Sequence, residues 1–317
     1  MKMLFLFFIL IANTYGQITT TKVAPKVEQG KIVQYDSLQN YLGKDVYKYV
    51  GQEIYLKGKS EGLRKFGYKD FYIDYKVPFI IDKDNVYKCC DGYSSKYDDL
   101  VGKYFKVLEV IKHPKAHEDE LYASVCFLKL EEKETKNVVF FQYSLQFETA
   151  FPFIVVGYFE KLKKTEIGRE FILRGRNWIS SDVMTEMNTG LPVSNFVAGA
   201  KWRCVDITIE EKYYSLSLVI ANEKGEQIPL GIDNTKVNNW VFEYRDAENF
   251  RKKFGNENWK IILDGKVKIG MTKEMCELSW GEPKAINETI SAGSKSEQWV
   301  YGKNYLYFEN GLLKTIQ

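Results

Sequence analysis

The chain has 317 residues, 45% hydrophobic and 27% charged, close to the values of soluble globular domains, which excludes a disordered, collagen-like or coiled-coil protein. Its 45 Lys and Arg against 42 Asp and Glu leave a net charge of +3, too small a field to draw it to nucleic acid. With 22 Tyr and 20 Phe against 7 Pro, the composition points to strands, and the length to two or three domains.

Met1 to Gly16 (MKMLFLFFILIANTYG) carries one Lys, an apolar run from Met3 to Ala12 and a small or polar end. This is a secretory signal-peptide pattern, with cleavage expected between Gly16 and Gln17. The run has about half the length that crosses a bilayer, and no later stretch approaches twenty apolar residues. The mature chain is therefore expected to lack a transmembrane segment. No Cys lies near the cleavage zone, so no lipid anchor is expected, and the location implied is secreted or periplasmic. Residues 17–34, polar and Thr-rich, read as a linker.

Residues 35–160 read as a first β-rich module. Tyr35 to Gly43 carries a short helix signature, with Asp36 or Ser37 as cap, Leu38, Tyr41 and Leu42 on one face, and Gly43 as stop. The segments 52–57, 70–75, 104–111, 121–130 and 138–143 are rich in β-branched and aromatic residues and separated by Gly, Asp, Asn and Lys, predicting antiparallel strands. His113 and His117, in a charged loop, could in principle join Cys89 and Cys90 as metal ligands, although Pro114 argues against one helix presenting both histidines. A solvated loop is the plainer expectation, and no cofactor is expected.

Five cysteines leave one unpaired at least: five choices of free thiol times three pairings of the rest give fifteen two-bridge patterns. Cys126, Cys204 and Cys276 sit among apolar neighbours and are expected as buried thiols. The adjacent Cys89 and Cys90 could bridge each other, but bridges from this pair to other elements are the preferred expectation.

Residues 161–255 read as a second β-rich module. Val50-Gly51-Gln-Glu-Ile54-Tyr-Leu56-Lys-Gly58 matches Ile167-Gly168-Arg-Glu-Phe171-Ile-Leu173-Arg-Gly175, and looser versions open at Gly102 and Gly199. A turn at Gly feeding a strand with one buried face is the usual opening of small SH3-type or OB-type barrels, so tandem barrels are expected. The unequal glycine spacings of 51, 66 and 31 residues fit no simple array. Tyr214 to Ile232 reads as a hairpin about Asn222–Gly225, and Asp246 to Phe254 as a short helix ending at Gly255.

Residues 256–317 read as an α+β module. Thr272 can cap a helix striped by Met271, Met275 and Leu278 and ended by Gly281 and Pro283. Gln298–Tyr301, Tyr305–Phe308 and Leu312–Ile316 follow as a three-stranded meander, turned at Gly302 and at Asn310–Gly311. Trp299, Tyr301 and Phe308 are expected in its core; Trp280, Tyr305 and Tyr307 could line a recognition surface, and Trp178 and Trp240 are uninformative.

The pieces G-M-T-K-E from Gly270, W-G-E-P from Trp280, Q-W-V-Y-G through Trp299, Tyr301 and Gly302, and Y-L-Y-F-E-N-G from Tyr305 through Phe308 to Gly311 resemble BamE-like (SmpA/OmlA-type) domains of bacterial envelope proteins. The resemblance covers about residues 268–317. It implies an envelope location and contacts with an envelope or outer-membrane protein rather than catalysis. A related helix-plus-sheet fold occurs in an inhibitor protein of β-lactamase, so the architecture does not specify the partner.

Neither G-x-S-x-G, H-E-x-x-H nor a phosphate-loop pattern is present. The expectation is a non-catalytic binding or scaffold protein of the envelope. The alternatives are a cell-wall or carbohydrate-binding protein acting through the β-rich modules, and a hydrolase with two facing carboxylates.

Overall fold

A computed structural model describes residues 34–76, 82–175, 184–194, 196–210, 214–232, 241–291 and 294–317. The leader, its cleavage site at Gly16 and Gln17, residues 17–33 of the linker, Trp178 and Trp240 lie outside the described residues. The chain divides into two units, Met1–Lys161 and Leu162–Gln317. It is mainly β, and the strand pairings throughout are antiparallel.

In the first unit a 3₁₀ helix over Gly43–Tyr49 precedes β1 (Glu53–Leu56), the one-turn helix α1 (Glu61–Arg64) and β2 (Phe71–Tyr72). A small hairpin of β3 (Cys89–Asp91) and β4 (Ser94–Ser95), then α2 (Tyr97–Leu100), lead to β5 (Tyr104–Lys112) and α3 (Glu120–Ala123). The long hairpin of β6 (Val125–Glu132) and β7 (Val138–Ser144) follows, then β8 (Phe153–Val155) and α4 (Val156–Glu166), within which the division falls. The main sheet has the order β2-β7-β6-β5-β1-β8.

Its core explains the aromatic excess. Phe71, Phe105, Phe141 and Phe153, from four different strands, are buried and meet with ring centroids 5.0 to 6.2 Å apart. Each such burial stabilises the fold by roughly 2–3 kcal/mol. The helix expected over 36–42 is replaced by a turn-like path, and Gly43 (φ 52°) opens a 3₁₀ helix instead of ending one. Tertiary bonds override the local signal: Asn40 donates from Nδ2 to the Phe153 carbonyl (2.8 Å) and accepts the Val155 N–H (2.8 Å), and Tyr41 donates to the Ser144 carbonyl (2.9 Å).

The second unit begins with β9 (Glu170–Leu173), β10 (Lys201–Ile209), β11 (Leu216–Ala221), β12 (Gln227–Gly231) and β13 (Val241–Glu243), ordered β12-β11-β10-β9-β13. This is the first sheet again, without the β2 edge. Ile54 opposite Phe105 in β1–β5 corresponds to Phe171 opposite Trp202 in β9–β10. The Gly51 N–H donates to the Val107 carbonyl (2.8 Å) and the Gly102 N–H to Leu56 (3.0 Å), while Gly168 donates to Cys204 (2.8 Å) and Gly199 to Leu173 (3.0 Å). All four glycines have left-handed φ. A register shift falls at Val107/Glu109 in β5 and at Cys204/Asp206 in β10, and β8 and β13 both run straight into a helix. The four glycine segments are thus the first and second strands of two copies, which accounts for their uneven spacing.

Neither sheet closes into the barrel expected from the sequence: β2 and β8 end one sheet, β12 and β13 the other, with no pairing between those edges among the described residues. The strands β8 and β13 have only three residues each before turning helical, so the chain leaves the sheet before it can curl round.

The helix expected to end at Gly255 breaks there (φ 79°) and resumes, giving α5 (Tyr244–Leu263). Then come α6 (Lys273–Trp280), β14 (Ala285–Ser291), β15 (Ser294–Tyr301), β16 (Asn304–Glu309) and β17 (Leu312–Ile316) as a sheet in chain order. The expected three-stranded meander therefore has a fourth strand, β14, whose Ile286 and Ile290 are exposed and give no core pattern to read. One apolar cluster joins Ile172 of β9, Phe254 and Trp259 of α5, Met271 just before α6, Cys276 within it, and Trp299, Phe308 and Leu313 of the last sheet.

Candidate functional site

The candidate metal set does not assemble. His113 is buried, stacked on Tyr122 (4.5 Å) and Phe127 (5.5 Å), and its Nδ1 accepts the Lys115 N–H at 3.1 Å. Burial, with Lys115 nearby, lowers its pKa below the ordinary histidine value. This corrects the solvated-loop expectation for His113, whereas His117 is 80% exposed beside Glu118. Cys89 and Cys90 are bonded to each other, not to other elements, and a disulfide offers no thiolate to a metal. Cys126, Cys204 and Cys276 are buried free thiols, so no surface thiol was there for the pair to bridge. Among the described residues no three His, Cys, Asp or Glu side chains cluster as a metal site.

The motif residues of the C-terminal module mostly set its frame. Thr272 accepts the Met275 N–H at the start of α6, and Met271 is buried beneath it. Trp280 donates from Nε1 to the Gly265 carbonyl (3.0 Å) and meets Tyr301 edge-on at 5.3 Å. The Tyr301 hydroxyl donates to the carbonyl of Gly281 (2.8 Å), which ends α6 with a left-handed φ, and Pro283 follows before β14. Gly302 turns β15 into β16, and Asn310 and Gly311, both at positive φ, turn β16 into β17. Gly270 donates to the Leu313 carbonyl (2.8 Å). Trp299 and Phe308 pack ring to ring at 4.8 Å on the helix side of the sheet.

Alternation along the strands puts Tyr305 and Tyr307 on the opposite, open side. There the register aligns Asn287, Gln298, Tyr307 and Thr315 across all four strands. Asn287 Nδ2 donates to Gln298 Oε1 (2.8 Å), Gln298 Nε2 donates to the Tyr307 hydroxyl oxygen (2.9 Å), and the Tyr307 hydroxyl donates to Gln317 Oε1 (2.8 Å). This row links four side chains by three hydrogen bonds. It lies in an open groove of about 350 Å³ whose lining includes Thr289, Ser296, Glu309 and Lys314. Hydroxyls and amides around one aromatic ring suit hydrogen bonding to another surface.

Sequence reading found Tyr305 and Tyr307 but missed Asn287 and Gln317. The signal for Asn287 is positional, a polar residue at the outward register site of β14, which cannot be read before the register is known; Gln317 lies just past β17 and joins through its side chain.

Behind the row, Glu297 points to the helix side, where it accepts from Trp299 Nε1 (3.0 Å), Lys273 and Lys295 (3.2 Å). Burial acts to raise its carboxyl pKa, but the hydrogen bonds from Lys273, Trp299 and Lys295 together outweigh it and hold the group down at about 2. Among the described residues no helix is long and apolar enough to cross a membrane.

No family model matches the chain, and no curated protein matches it. Among solved structures, the crystal structure of a "putative beta-lactamase inhibitor protein" from Streptococcus mutans is similar at 18% identity over 38% of this chain and 69% of that chain, with a TM-score of 0.15. A likeness of that size defines neither fold nor function.

Proposed function

We propose that the protein is a secreted or periplasmic, non-catalytic binding or scaffold protein of a bacterial cell envelope. Its contact surface is the open face of the C-terminal sheet, and its partner is another envelope or outer-membrane protein. The observation that carries this reading is the row from Asn287 through Gln298 and Tyr307 to Gln317, a polar surface fixed in place before any partner arrives. The leader sequence and the BamE-like motifs support the compartment. The two equivalent sheets are read as tandem modules of SH3/OB type with open edges, a reading supported by their common strand order and glycine openings.

The test is purification of the tagged full-length protein from gently solubilised envelopes, beside Gln298→Ala and Tyr307→Ala variants checked for folding by circular dichroism. A near-stoichiometric envelope protein that the variants lose is the expected result. Recovery of the protein alone, or its retention in the cytosol with the leader intact, overturns the reading; pelleting with purified peptidoglycan would then favour glycan binding.

A further inference from the structure

We propose that β14 is an open docking edge that takes up an extended strand of the partner, one carrying apolar, basic and apolar residues at alternate positions. The inference rests on the reading above and deepens it by naming the partner's chemistry.

The two edges of the C-terminal sheet differ. Along β17 the edge is engaged: Leu313 N–H donates to the Met271 carbonyl (2.8 Å), Gly270 N–H donates back to Leu313 (2.8 Å), and Thr272 bridges to Leu312. Along β14 the only pairing among the described residues is with β15. Every residue from Ala285 to Ile290 is exposed. Edge strands are normally protected by Pro, Lys or a bulge. Within β14 there is no Pro, Lys or bulge: Pro283 and Lys284 precede the strand, its one charge is Glu288, and its register with β15 runs unbroken from Ala285 to Ser291.

Charge and side-chain alternation specify the occupant. Ile286, Glu288 and Ile290 lie opposite Trp299, Glu297 and Lys295, on the helix side, and Asn287 and Thr289 lie on the groove side. Ile290 is 77% exposed and Ile286 47%. Glu288 is half exposed and gives one oxygen to Lys295 at 2.9 Å. A strand continuing the sheet therefore meets an apolar–acidic–apolar row, which an apolar–basic–apolar row complements, and a polar row on the other face. A second copy of this chain fits poorly in the register that pairs the two isoleucines. The antiparallel register that sets Ile286 against Ile290 of the second copy also sets Glu288 against Glu288, two like charges directly opposite.

The test uses the full-length protein and a fluorescent peptide Thr-Val-Thr-Lys-Thr-Val-Thr, with a Glu-centred counterpart and a version in which Pro replaces the two threonines flanking Lys. The Lys peptide is expected to bind and to protect the amides of 285–290 from hydrogen exchange. The Glu peptide is expected to bind about fivefold more weakly, and the Pro peptide not at all. Glu288→Lys should reverse the charge preference, and Ile290→Asp should abolish binding, with both variants folded by circular dichroism. If no peptide binds, or Glu288→Lys leaves the preference unchanged, the edge proposal is overturned even where an envelope partner is still captured through Gln298 and Tyr307. Peptide binding without any captured partner would leave the edge standing and the functional reading overturned. A dimer lost on Ile290→Asp would overturn the proposal in favour of self-association.

Discussion

Arg174 and Ser279, 105 residues apart in sequence, are joined inside the second unit: Arg174 Nη1 donates to the Ser279 carbonyl at 3.0 Å. Nη2 donates to the Leu278 carbonyl as well. Both carbonyls belong to the last turn of α6, where no intrahelical N–H is left to meet them. The guanidinium also lies over the Phe242 ring, 4.6 Å from its centroid. Arg174 is fully buried, and burial lowers its pKa to about 10, which leaves it a cation at neutral pH beside the negative end of a helix. One residue thus ties the end of β9 to the module that carries the polar row.

Replacing Arg174 with Met keeps much of the volume and removes both hydrogen bonds. The expected loss is about 2–4 kcal/mol, because two buried carbonyls lose charged donors. Arg174→Lys should recover only part of it, since an ammonium lacks the planar fork that spans two acceptors. Urea unfolding followed by tryptophan fluorescence measures both. A loss below about 1 kcal/mol for the Met variant would mean that water or a neighbour takes over the carbonyls.

Glu297 sets an acid limit on the same module. Its folded pKa of about 2 lies below the ordinary 4.5, so the folded state holds fewer protons than the unfolded chain across that interval. The contribution is fully present above pH 4.5 and is lost as pH falls toward 2. Stability measured from pH 6 to pH 2 should decline through this window. Glu297→Gln should be less stable at pH 7 and show a shallower decline; an unchanged slope would remove Glu297 as its source.

Much of the fold could be read from local pattern, and the misses share one cause. The turns at Gly302 and Asn310–Gly311, the cap at Thr272 and the stop at Gly281 depend on backbone conformations set by one or two residues, and each is found in place. The path of residues 36–42 depends on Asn40 reaching Phe153 and Val155, far along the chain, and no local signal reports that. The fourth strand β14 was missed because its apolar residues, although on the helix side, remain exposed and give no core pattern. Of the polar row, Tyr307 was visible as an outward aromatic, while Asn287 became a site residue only through register and Gln317 only through its side-chain bond to Tyr307. The duplication was legible at Gly51 and Gly168 and more loosely at Gly102 and Gly199, but that the latter open the second strand of each copy shows only in the hydrogen bonds that match them.

The cysteines make a simple chemical prediction. Burial raises the thiol pKa to about 12 at Cys126, about 11 at Cys204 and about 12 at Cys276, so almost no thiolate is present at pH 8. Iodoacetamide at pH 8 should leave the native protein unlabelled, label three sites in denaturant, and label five after reduction, once Cys89 and Cys90 are freed. Any labelled site in the native protein would place one of the three buried thiols within reach of solvent.

The two copies of the sheet predict unequal costs at equivalent positions. Gly102 and Gly199 open β5 and β10 with φ of 77° and 88°, so alanine at either place is strained by about 1–2 kcal/mol. Their surroundings differ. An added Cβ at Gly102 meets only the Tyr55 hydroxyl at 3.8 Å, ordinary contact, whereas at Gly199 it falls 2.9 Å from Leu263 Cδ1 at the end of α5. Leu263 is itself buried in the apolar cluster that joins β9 to the last sheet, so it has little room to turn away. Gly199→Ala should therefore cost more than Gly102→Ala, by about 1–3 kcal/mol of overpacking, as measured by urea unfolding. Adding Leu263→Ala to Gly199→Ala should relieve part of that excess, because the two sites share one clash. Equal costs at the two glycines would show that Leu263 yields, and that the second copy tolerates at this turn what the first does.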